Sequence, residues 1–231
     1  MLIGEDYPKI EFVIGNLRLL EPNGTITDVL MAALSFYLAF SIRKLKTQDT
    51  FSTFWVGFFI LHGAGAFFGA LGHALFLYWG LLGKIPTWFV SVISIYCIEK
   101  AFIHQLKNNR LKGVLDKIVI IKIFLVYGSI AAICVFSDVG LKPERPFLPV
   151  AINTIIGVIF SAGFLAHKFS KEDKHFRYFY WGVLTILPSA FFFLLKINPI
   201  QWFDKNDVSH LLMCAGIILF YIGIKKRSLN I

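Results

Sequence analysis

The chain carries seven long apolar blocks, each close to the ~20 residues that a helix needs to cross a bilayer. They read as spans at 25–43, 52–79, 86–106, 117–137, 147–168, 177–197 and 206–224. Few folds accept such a pattern. Backbone polar groups in lipid must be satisfied internally, so a crossing segment is a helix or part of a closed barrel. Barrel strands are short and alternate in polarity, whereas these blocks are long and continuous. The expected fold class is all-α: a polytopic membrane protein, with seven transmembrane helices in one bundle. Turn chemistry marks the breaks, with "EPNG" before the first block, "GKIP" before the third, "LKPERP" before the fifth and "INPI" after the sixth. The short connections predict a single unit over 25–224. A polar segment, 1–24, precedes it and a basic tail, 225–231, follows. Residues 1–24 hold no apolar core of signal-peptide length, so no cleaved leader is expected.

Charge supplies an orientation. The net charge of +9 would suit nucleic acid, but the cations sit at the ends of the apolar blocks, and no nucleic-acid partner is expected. Lys and Arg divide fifteen to seven between the two sides, Lys122 inside span four being left out. The richer side is the 1–2, 3–4 and 5–6 connections with the C-terminal tail. Positive charge favours the cytoplasm, which puts the N-terminus outside and the C-terminus in the cytoplasm. The three cysteines, Cys97, Cys134 and Cys214, all fall inside apolar blocks, which speaks against a disulfide framework or a thiolate cluster. Richness in Lys, Asn, Ile and Phe fits an AT-rich bacterial genome, and the expected location is a bacterial inner membrane.

That orientation assigns depth to the polar groups. Asn206, Asp207 and His210 open span seven near the outer surface. His73 lies in the outer part of span two, Asp28 at the start of span one, and Asn153 in the outer half of span five. Ionisable groups in a membrane cost a few kcal/mol and are usually paired or functional. Asp207 and His210 are three residues apart, Asn206 and His210 four, so either pair shares a helix face. Imidazole and carboxylate suit zinc, and His73 can supply a third ligand. Capping is the competing reading for Asn206 and Asp207, and a capping or interface role for Asp28. His62, Ala66, Gly69 and His73 form a stripe on span two, where small residues admit a close neighbour. His62 lies roughly 16 Å from His73 along the helix, too far to share a metal. It reads as a core histidine.

The seven spans, an outside N-terminus, a histidine in span two and "NDVSHLLMCAG" opening span seven resemble the superfamily of alkaline ceramidases and progestin/adiponectin-type receptors. In that family the last span opens on HxxxH, and here Asn206 and His210 stand at those two places. The resemblance implies a zinc-dependent hydrolase of lipid amides or esters, a divergent bacterial member of the group. His73, His210 and Asp207 would be metal ligands, Asp207 alternatively a general base, and Asn206 a polariser. The sequence departs from the family at three places. Gly69 stands where the family has a serine, span three opens without an aspartate, and Asn206 replaces a histidine. Two further expectations remain open. One is a non-catalytic receptor-like or accessory subunit, binding membrane lipid or another membrane protein. The other is a small transporter with His62 on its pathway.

Overall fold

The computed structural model describes residue 4, residues 6–45, 49–136 and 145–229. Among these, seven helices are long and apolar enough to cross a membrane. They are α1 (Pro22–Arg43), α2 (Thr50–Ala74), α3 (Ile85–His104), α4 (Asn109–Phe136), α5 (Arg145–Phe169), α6 (Lys174–Leu194) and α7 (Lys205–Leu229). An odd number of crossings puts the two termini at opposite ends of the bundle, called here the N-terminal and C-terminal rims.

Several boundaries differ from the sequence reading. Span two ends at Ala74, and Phe76–Trp79 forms a separate helical turn leading through a 3-10 stretch, Gly80–Lys84, into α3. Gly80, at φ 51°, takes a left-handed conformation that glycine adopts without strain. Helix α4 begins eight residues before the expected 117, because Arg110, Lys112, Asp116 and Lys117 dilute its apolar signal without weakening the helix. The basic tail is no separate segment, since α7 runs on to Leu229. The expected 4–5 connection falls largely on 137–144, outside the described residues. The polar N-terminal segment ends earlier than expected, at the start of α1, and contains a two-stranded antiparallel hairpin, Glu11–Ile14 paired with Leu17–Leu20.

Packing follows a closed path. Helix α1 lies between α2 and α7, α2 packs on α3, α3 on α5, α5 on α6 and α6 on α7, while α4 rests on α3 and α5. The α6–α7 seam is a close one. A Cβ on Gly216 would lie 2.2 Å from the Ile186 Cγ1 and 3.0 Å from the Gly182 carbonyl oxygen. Small residues at a seam let two backbones approach.

Towards the C-terminal rim the core is aromatic. Phe51, Trp55, Phe59, Phe102, Phe179 and Phe220 are fully buried. Phe51 meets Phe102, Phe176 and Phe179 edge-on, each at 5.5 Å between ring centroids. The Arg227 guanidinium lies over Phe51 at 4.6 Å and pairs with Asp49 at 2.8 Å, closing this end.

Candidate functional site

The N-terminal rim is built differently. Asp28, in the second turn of α1, is 3% exposed and points across to α2 and α7. Its Oδ1 lies 3.4 Å from His210 Nε2, and its Oδ2 lies 4.0 Å from His73 Nε2. The two histidines, 137 residues apart in sequence, thus present the same ring nitrogen to one carboxylate. Gly69 makes this possible, because a Cβ there would sit 2.7 Å from Asp28 Oδ2.

Each imidazole is held from behind. His73 Nδ1 donates to Glu21 Oε2 at 2.6 Å. Glu21 immediately precedes α1, seven residues before Asp28 and so two turns above it on one face. Burial opposes ionisation of Glu21. The hydrogen bond from His73, with the ammonium groups of Lys9 and Lys84, outweighs it and holds the carboxyl well below the usual range. His210 Nδ1 lies 2.8 Å from Thr27 Oγ1. The single Thr27 hydroxyl proton has only acceptors to choose from: Asn23 O at 3.0 Å, Gly24 O at 3.2 Å and Asp207 Oδ1 at 3.2 Å. With its proton on one of these, Thr27 can accept from a His210 Nδ1–H. The Glu21 carboxylate fixes His73 in the tautomer whose Nε2 lone pair faces Asp28, and His210 presents its Nε2 lone pair there when its Nδ1–H donates to Thr27. Separations of 3.4 and 4.0 Å are too long for hydrogen bonds.

Both imidazoles thus approach the Asp28 carboxyl, one on each oxygen. Ligands bound to zinc at 2.0–2.2 Å in a tetrahedron lie about 3.3 Å from one another. The His210–Asp28 side already has that spacing, and the His73–Asp28 side is open by less than an ångström. Among the described residues, no three His, Cys, Asp or Glu side chains are drawn together into an assembled metal centre. The chemistry of the donors, two imidazoles and a carboxylate on three helices, is of the kind that zinc takes, and His73 has a carboxylate behind it, as metal-binding histidines commonly do.

Asp207 is buried in the same layer but turned away from His73. Its Oδ1 meets Thr27 and its Oδ2 accepts from the Asp204 backbone N–H at 3.0 Å. Asn206 gives its amide to Asp204 Oδ2 at 3.2 Å. Capping of α7 is done by Asp204, which accepts from the Asn206 N–H at 2.7 Å, rather than by Asn206 or Asp207. His62 stands deeper, stacked on Phe58 at 5.3 Å, away from this group. Glu21 and Thr27 carried no sequence signal beyond the E-x6-D spacing and the position of Thr27 beside Asp28.

Above the layer lies a cleft of about 40 Å³, lined by Glu21, His73, Asn206 and Asp207 below and Tyr7 to Ile10 above. The chain before the hairpin forms a strap over it. Asp6 pairs with Lys196 at 3.2 Å and with Lys205. Burial works against the Asp6 charge, but these two cations prevail and keep its carboxyl below the ordinary value. Gln201 donates to the Pro8 carbonyl at 3.1 Å, and Lys9 reaches Glu21 at 3.1 Å.

A match to a family of unknown function, DUF6962, spans residues 24–229. The chain belongs to that family. The matched region takes in all but the start of α1 and the other six helices, with Thr27, Asp28, His73, Asp207 and His210. Glu21, the hairpin and the strap lie outside it. No curated protein and no solved structure matches the chain.

Proposed function

We propose that this member of DUF6962 is a zinc-dependent hydrolase of a lipid amide or ester, working at the outer face of a bacterial inner membrane. The outer placement rests on the distribution of Lys and Arg. The observation that carries the reading is the convergence of His73 Nε2, His210 Nε2 and the Asp28 carboxylate, with each ring held from behind. Asp28 takes the ligand place that sequence alone gives to Asp207.

His73, His210 and Asp28 would hold the zinc, which would supply a water of pKa ~7 and Lewis acidity towards a substrate carbonyl. The chain's own residues do the rest. Glu21 fixes the His73 ring and its tautomer, and Thr27 does the same for His210. Asp207, anchored by the Asp204 N–H, holds Thr27 in that role. Asn206 and Asp207 line the cleft and present polar edges to an entering headgroup. The strap from Asp6 to Ile10 covers the cleft and keeps bulk water from it.

Purified protein in detergent is to be assayed against a lipid amide (a ceramide) and a lipid ester, with and without a zinc chelator. The proposal expects release of fatty acid that falls at least 100-fold with chelator, with Asp28→Asn or with His210→Ala. Metal-loaded, folded protein that cleaves neither lipid would overturn it in favour of a lipid-binding role. Hydrolysis indifferent to chelator and to both substitutions would overturn it in favour of another site.

A further inference from the structure

At the edge of the N-terminal rim the hairpin presents an apolar surface that the hydrolytic reading does not use. Phe12 and Leu19 are cross-strand partners, and so are Ile14 and Leu17, the next pair along the same face. Leu19 is buried and Phe12 half-buried, but Ile14 is 63% exposed and Leu17 42%. A tight two-residue turn, Gly15 at φ 60° and Asn16, joins the strands. No charged residue falls between Phe12 and Leu17. The opposite face carries the exposed Glu11–Arg18 ion pair. The hairpin is therefore amphipathic, and its apolar face is bare at the tip.

The neighbouring turn is apolar as well. The Arg18 N–H donates to the Tyr78 hydroxyl at 3.2 Å, which ties the second strand to the connection between α2 and α3. On that connection Tyr78 and Trp79 are about half exposed, and Leu82 is 73% exposed. It joins two helices of membrane length, and Glu21 alone separates the second strand from α1. Four strand residues reach about 13 Å, so the tip cannot stand far above the rim. An exposed patch of large apolar side chains marks a contact with a protein or a membrane. Three features select the membrane: the height of the patch, its continuity with two spans, and its exposed Tyr and Trp, side chains enriched where bilayer meets water.

We propose that Ile14 and Leu17, with Tyr78, Trp79 and Leu82, are seated in the lipid leaflet at the N-terminal rim and anchor the strap to it. The Glu21 N–H donates to the Ile10 carbonyl at 2.9 Å, so the seated hairpin fixes the Ile10 end of the strap. Asp6, with Lys196 and Lys205, fixes the other end. The anchoring requires the seven spans to cross a bilayer and nothing of the zinc site.

The test uses the full chain in vesicles of phosphatidylcholine and phosphatidylglycerol. An environment-sensitive fluorophore is attached to Ile14→Cys and, separately, to Val13→Cys, with wild type treated identically as the blank. Nitroxide-bearing phosphatidylcholine should quench the label at residue 14. Iodide on both sides of the membrane should quench it at least threefold less than the free dye, and less than the label at residue 13, which lies on the charged face. Ile14→Trp needs no labelling, and brominated phosphatidylcholine should quench its added emission over wild type. A label at residue 14 that iodide quenches as fully as the free dye, and nitroxide lipid does not, places the tip in water and overturns the proposal. A label shielded from both quenchers places the tip against protein and overturns it too. So does added emission of Ile14→Trp that brominated lipid leaves unchanged.

Discussion

At the N-terminal rim, Glu21, Thr27, Asp28, His73, Asp207 and His210 are drawn from three helices into one hydrogen-bonded layer, with Asp28 left facing two lone pairs. At the C-terminal rim, the same α2 and α7 contribute Trp55 and Phe220 to a block of stacked and edge-on rings with α3 and α6. The aromatic end buries apolar area and holds the helices together. The polar end buries ionisable groups, which stabilise little and cost much unless something is bound. Two ends of the same helices thus differ in kind: one keeps the bundle assembled, and the other is where the proposed chemistry would take place.

The contrast can be broken by substitution, and the largest effect is expected in the aromatic block. Phe179→Ala removes a fully buried ring and should cost about 3–5 kcal/mol, read as a lower midpoint in denaturant. Metal bound per folded molecule should not change. If Phe179→Ala strips metal at full stability, the two ends are not separate. Gly216→Ala comes next. Its added methyl meets Ile186 and the Gly182 backbone, which can yield only by opening the α6–α7 seam, at a cost of about 1–3 kcal/mol. Asp28→Asn should behave in the opposite manner. It exchanges a buried carboxyl for an amide of the same shape, so stability should stay within about 1 kcal/mol of wild type or rise, while metal is lost. A large loss of stability in that variant would make Asp28 a structural residue.

Smaller effects are expected at the edges. Asp6→Ala frees the strap from Lys196 and Lys205, and hydrogen exchange should quicken over residues 6–10 with little change in the midpoint. At the other end, Asp49 accepts from the Ser52 N–H at 2.8 Å and the Ser52 hydroxyl at 2.7 Å, and it pairs with Arg227. Burial opposes its charge, but these partners prevail and lower its value below the ordinary 3.8. Its contribution is therefore complete above that pH and is lost as pH falls through the folded value. Because the pair is half exposed, Asp49→Asn should remove only about 0.5 kcal/mol of stability near neutral pH. The difference from wild type should vanish in acid.

The sequence carries the spans because an apolar run of bilayer length has few alternatives. It carries their ends less well. Nothing in "GHALFLYWG" marks the break after Ala74, and the charges of α4 disguise its first two turns. His73 and His210 were legible as imidazoles in apolar surroundings. Asp28 was legible as a member of the same outer layer but read as a cap or interface residue, and Glu21 was not legible, since only the fold brings these acids to a histidine 45 or more residues away. Asp207 and Asn206 show the reverse: local spacing placed them with His210, and contacts with Thr27 and Asp204 turned them elsewhere.

The most direct measurement is elemental analysis of the purified, detergent-solubilised chain after exposure to a small excess of zinc and removal of the free ion. The account predicts about one zinc per chain, held by the wild type and absent from His73→Ala, His210→Ala and Asp28→Asn proteins that remain folded. A folded wild type that retains no zinc would contradict it, as would equal retention by all three variants.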